Sequence, residues 1–126
     1  MEVALNLPTL APFDAIRWNG EAAQVRVDNV WCDWLAIDDM PLERLVAYCK
    51  QHYGRDLWQK RIAEDLVEVL IGMGQSPRDR VKLTVRGIDT KIVSELLDVS
   101  MTHKNRQQIW MAAQLEQAEK RRQQRR

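Results

Sequence analysis

Asn19-Gly20 and Asp28-Asn29 cut residues 13–37 into three pieces of strand length. Asn-Gly accepts the positive φ angles of a type I′ turn at little cost, so the flanking segments are drawn into antiparallel pairing. Residues 13–18 are strand-like. Residues 23–27 alternate, with Val25 and Val27 opposite Gln24, Arg26 and Asp28. Residues 30–37 are apolar on both faces except at Asp33, which predicts a central strand. A chain punctuated in this way folds as a β-meander before anything else.

Asp38, Asp39 and Pro41 end the third strand and open a helix, with an aspartate as its cap. Leu42, Leu45, Val46, Cys49 and Tyr53 recur at helical spacing, and Gly54 stops the run. Asp56 and Gln59 form a variant capping box for a second helix. Its stripe is Trp58, Ile62, Leu66, Val69 and Met73, and Gly72 and Gly74 end it. Residues 80–86 alternate as a strand, Val81, Leu83 and Val85 against Arg80, Lys82, Thr84 and Arg86. Residues 91–99 read as a strand returning along it, although a short helix capped by Thr90 fits the same residues. Thr102 caps a last helix carrying Ile109, Trp110, Ala113 and Leu115.

The predicted fold class is α+β: an antiparallel sheet of four to five strands, two central helices on one face, and a C-terminal helix. One domain spans 13–118, between an extended arm (1–12) and a basic tail (119–126) expected to be disordered. At 126 residues the chain can bury one core without staples. No apolar run approaches the length of a membrane span. The N-terminus carries an acidic residue at position 2 and no basic start, unlike a secretory signal, and the expected location is cytoplasmic.

Little here points to catalysis. Cys32, Cys49, His52 and His103 lack the paired spacing of a zinc site, and Cys49 falls in an apolar stripe, where cysteine acts as a small hydrophobe. Glu64, Asp65 and Glu68 share a helix, but Lys60 and Arg61 stand four residues before Glu64 and Asp65, the spacing of surface pairs. No cofactor and no metal are expected. Trp31 and Trp34 are an odd number of residues apart, so one faces the core and the other is partly exposed as a candidate interface anchor. From Lys104 onward the chain carries +5, and the preceding body −4. The tail residues Lys120, Arg121, Arg122, Arg125 and Arg126 are therefore candidate phosphate contacts.

"LAIDDMPLERLVAYCK" (35–50) and "DRVKLTVR" (79–86) together resemble the PDZ-like domains of carboxyl-terminal processing peptidases. There a phrase like Ala-Ile-Asp-Gly-x-Pro-Val leads into a helix, and a Gly-x-x-Val-x-Leu-x-Val-Arg strand follows. Asp39 stands where that family has glycine, and the helical segment between the stretches is about twice as long. The resemblance implies a bent sheet with helices, of the kind that binds an extended peptide as an added strand. The favoured function is a non-catalytic protein-interaction module or an accessory domain of a larger enzyme or complex, with a protein partner. The runner-up is a nucleic-acid-associated protein using its basic tail. A small enzyme with a cysteine or carboxylate site comes third.

Overall fold

The computed structural model describes residues 9–124. In chain order these form β1 (Ala15–Asn19), β2 (Ala22–Val27), β3 (Val30–Ile37), β4 (Met40–Pro41), α1 (Leu42–Tyr53), α2 (Trp58–Glu64), α3 (Leu66–Gly72), β5 (Arg80–Gly87), β6 (Val93–Ser100) and α4 (His103–Gln124). The fold is α+β. The sheet is antiparallel in the order β1-β2-β3-β5-β6, and the short β4 pairs with β3. The expected meander is β1–β2–β3, and β3 is central as its two-sided apolar pattern requires. Residues 91–99 resolve as β6 for most of their length.

Turn chemistry sets the registers. In the first hairpin Asn19 pairs with Ala22, and the positive φ falls on Gly20 alone, not on both central residues as a type I′ turn needs. Asp28 and Asn29 (φ 50° and 66°) give the I′ pattern between β2 and β3. So do Asp38 and Asp39 (φ 46° and 66°) between β3 and β4. The expected role of these aspartates as a helix cap is thereby corrected. α1 begins behind Pro41 without a side-chain cap, and the Asp38 carboxylate instead accepts from the Lys82 backbone N–H at 2.8 Å. Asp and Asn tolerate the left-handed region because their short side chains bond locally, which makes them turn formers as well as caps.

The predicted second helix is two. Asp65 leaves helical geometry (φ −127°, ψ 40°) between α2 and α3, although its N–H still reaches Arg61 and its carbonyl still accepts from Val69. α2 starts behind Leu57 with no side-chain cap, so Asp56 and Gln59 form no capping box; Gln59 bonds the Gly20 carbonyl. Three helices, not two, then cover the sheet. Leu45, Val46, Cys49, Ile62, Leu66 and Val69 meet Val25, Trp34, Ile37 and Leu83 in a single buried cluster.

The sheet closes partly on itself. Ahead of β1, Ala11 exchanges backbone hydrogen bonds of 3.1 and 3.0 Å with Thr102, just past β6. Ala11, Pro12 and Phe13 are buried as a result, so the expected arm is part of the core from Ala11 onward. Residues 1–8 of that arm lie outside the described residues. Thr102 also caps α4 as expected, its hydroxyl accepting from the Asn105 N–H at 3.0 Å.

α4 continues to Gln124, so a disordered tail from 119 is corrected for 119–124; Arg125 and Arg126 lie outside the described residues. Lys120–Glu116 and Arg122–Glu119 pairs, spaced four and three residues apart, support this end of the helix. Ile109 is its one buried side chain, and Leu115 is 71% exposed. Deleting 119–126 should therefore shift the melting temperature by no more than about 2 °C, since exposed positions carry little stability. A larger loss on thermal denaturation would mean that the helix end docks on the body.

Candidate functional site

The thiols and carboxylates named from the sequence do not assemble into a reaction centre. Cys49 is fully buried, and Cys32 is buried with its thiol directed at the Val25 carbonyl. Both are free. Burial pushes the Cys49 thiol up to about 11, and burial followed by the neighbouring Asp33 charge raises Cys32. A thiol held neutral is a poor nucleophile. His52 is exposed at the end of α1, bonded through Nδ1 to the Tyr48 carbonyl and stacked on the Tyr48 ring. His103 faces Thr9 instead. Among the described residues no group of three or more His, Cys, Asp or Glu side chains is placed to hold a metal ion, and no helix is long and apolar enough to cross a membrane.

The two tryptophans part as their odd spacing demands. Trp34 is 1% exposed, its ring edge-on to Phe13 at 5.1 Å and its N–H bonded to the Ala36 carbonyl. As a candidate interface anchor Trp34 is thus corrected to a core residue. Trp110 is 38% exposed on α4, and it is Phe13 that packs on Trp34, brought over the sheet beside the Ala11–Thr102 bridge. Trp31 is half-buried on the opposite face, with the Arg17 guanidinium 4.1 Å above its ring and Arg26 at 5.9 Å.

That outer face is a polar lattice. Arg17 donates to Gln24, Gln24 to Asp33, and Arg86 to Asp33, following the register across β1, β2, β3 and β5. Hydrogen bonds from Gln24 and Arg86 hold the Asp33 carboxyl below the ordinary carboxylate range. Lys82 bridges Asp39 and Glu95 at 2.5 and 3.2 Å. Each of these groups is satisfied by its neighbours, so the face is solvated structure with few free functional groups.

The unsatisfied part of the molecule lies at β6. This strand pairs with β5 on one side only, and among the described residues its other edge has no backbone partner until the Ala11–Thr102 bridge. Val93 is 56% and Leu97 70% exposed, and Ile92 and Val30 beside them are 63% and 62% exposed. Val30, Trp31 and Ile92 rim a hollow of about 470 Å³ floored by Val27, Val85 and Leu96. Past Leu96 it adjoins a groove of about 720 Å³ between β6, Phe13-Asp14 and the β2–β3 turn. The second groove carries Asp14, Asp28, Glu95 and Asp98 against Arg26 and Lys104, an acidic excess. The sequence points to Trp31 here; for residues 91–99 it predicts the strand but not that Val93 and Leu97 face solvent.

Lys120, Arg121 and Arg122 stand on the exposed last turns of α4, away from both hollows, and two of them are paired with glutamates. No protein-family model matches the chain, no curated protein matches it, and no solved structure matches it.

Proposed function

We propose that this chain is a non-catalytic protein-interaction module that takes an extended segment of a partner protein along the free edge of β6. The observation that carries this reading is the open edge itself. Edge strands are ordinarily short, charged, bulged or covered, because bare backbone donors and acceptors recruit other chains. β6 has eight residues; it carries Glu95 and Asp98 and one bulge before Val99, where its register on β5 shifts, yet among the described residues its outer edge is uncovered and presents Val93 and Leu97 with Ile92 beside them. A strand added there gains main-chain hydrogen bonds, and its alternate side chains reach the two adjoining hollows. The acidic excess of the larger groove favours basic side chains on the incoming strand.

The PDZ-like likeness belongs to the same reading. Asp39, which stands where that family has glycine, sits at φ 66°, the conformation a glycine there would favour. β3, a following helix and β5 also succeed one another in the implied order, with α2 and α3 as additions.

Val93→Lys with Leu97→Lys tests the reading. Both side chains are more than half exposed, so the double variant should keep its thermal stability within about 0.5 kcal/mol. A partner retained by the wild-type chain in affinity capture should be held at least ~10-fold less tightly, the order expected when edge contacts worth more than 1 kcal/mol are lost. Undiminished capture by a folded double variant would remove β6 as the binding edge.

A further inference from the structure

On the far side of the sheet, β1 is the other edge strand, and α4 and α2 stand over it. Between them runs a groove of about 270 Å³ lined by Ile16, Trp18, Ala63, Glu64, Ile109 and Ala113. Its rim also carries Gln59, Lys60, Gln117 and the Glu116–Lys120 pair, so the apolar surface is bounded by charge of both signs. Trp18 is held edge-on against Trp58 at 5.1 Å, so its position is fixed by packing.

Glu64 is the anomaly. It is 5% exposed, the one buried charged residue among those described, at the last position of α2. Two of the cations near it are engaged elsewhere. Arg61 pairs with Asp65 at 3.1 Å, and Arg106 donates to the backbone carbonyl of Glu64 while its guanidinium also leans towards Asp65. Lys60, one turn back and also lining the groove, lies outside ion-pair distance. The Glu64 carboxylate is left with no hydrogen-bond or ion-pair partner among the described residues, yet no unpartnered side-chain atom is sealed from solvent. Glu64 is also one of the residues lining the groove. Burial raises its pKa above the ordinary carboxylate range, outweighing the opposite pull of Lys60, Arg106 and Arg61.

An ionised carboxylate against apolar walls is costly until a cation joins it. The groove supplies what such a cation would need: a counter-ion in its lining, an aromatic residue beside it, and alkyl surface for a stem. Its volume suits a single side chain, below the range of drug-sized sites. We propose that this groove binds a guanidinium or primary ammonium group on an aliphatic stem, with Glu64 as its counter-ion and Trp18 as its aromatic wall. The site is independent of the β6 edge. Two sources can present this chemistry: a free alkylamine, or an arginine or lysine side chain of a peptide lying along the unpaired edge of β1.

Titration of the full chain with agmatine, with n-butylamine, and with an acetylated, amidated Ala-Val-Arg-Val-Ala peptide tests this, read at the indole N–H resonance of Trp18. Saturable shifts are expected with the amines at millimolar concentrations. A peptide tighter than agmatine by at least ~10-fold would assign the source as a chain on β1, and an equal or weaker peptide would assign it as a free amine. Glu64→Gln keeps the shape and removes the charge, and should weaken binding at least ~10-fold, the usual loss for a desolvated charged contact. Ala113→Met, which fills the groove and leaves Glu64 in place, should weaken it as much, while the Val93→Lys/Leu97→Lys variant should bind as wild type does. Absence of saturable shifts with all three probes, or unchanged affinity in either Glu64→Gln or Ala113→Met, would overturn the assignment.

Discussion

Trp34→Ala should cost about 3–5 kcal/mol of folding stability, and Trp31→Ala no more than about 1 kcal/mol. The two residues lie three positions apart on β3, so the contrast isolates environment from residue type. Trp34 is 1% exposed between Ala23 of β2 and Val85 of β5, and its ring is the surface on which Phe13 rests. Truncation leaves a cavity that Phe13 cannot fill without breaking the Ala11–Thr102 closure. It also orphans the Ala36 carbonyl that its indole N–H serves. Trp31 gives up a half-exposed surface and the stacked Arg17, a cation–π contact of the weak, solvent-screened kind. Urea denaturation of the two variants measures both losses. Equal losses would mean that the Arg17–Trp31 lattice is as deeply structural as the core. A loss under ~1 kcal/mol at Trp34 would mean that the sheet does not close over Phe13 as described.

What was legible in the sequence was whatever a local period or a turn residue records. The alternation in 80–86 gave β5 because Val81, Leu83 and Val85 all meet the core. The odd spacing of Trp31 and Trp34 announced that they part, but which is buried follows from strand pairing, Trp34 standing in register with Ala23 and Val85 and covered by Phe13. The aspartates at 38 and 39 misled because the chemistry that suits aspartate to a helix cap also suits it to the left-handed turn it forms here. The break at Asp65 has no glycine or proline beside it, and the helical hydrogen bonds run on across it, so periodicity carried no trace. Glu64 was hidden for a related reason. Its spacing from Lys60 is that of an exposed ion pair, and it is the placement of α4 against α2 that buries it, with Arg106 bonded to its carbonyl. β6 carries apolar residues on both sides: Leu96 and Val99 pack on the core while Val93 and Leu97 are exposed, and a pattern alone does not say which side will meet water.

The two thiols should set part of the fold's alkaline limit. Cys49 is fully buried, and burial pushes its pKa up to about 11, against a slight downward pull from Arg61. In the unfolded chain a cysteine ionises near ~8.5. The native state thus favours the neutral thiol. Its contribution is fully present below the unfolded pKa and is lost as pH rises towards about 11. A gap of roughly 2.5 units corresponds to about 3 kcal/mol for Cys49, and Cys32, also raised, adds to it in the same direction. Tyrosines and lysines titrate in the same window, so the informative quantity is a difference. Between pH 8.5 and 11 the urea midpoint of the wild type should fall more steeply than that of Cys49→Ala, although the variant starts lower because it leaves a small cavity. At pH 8 the same shift leaves native Cys49 with less than about a hundredth of the thiolate of an unperturbed cysteine, and labelling by a thiol reagent should follow unfolding. Parallel declines of the two proteins, or labelling of native Cys49 within minutes, would put that thiol in contact with water and return it to consideration as a nucleophile.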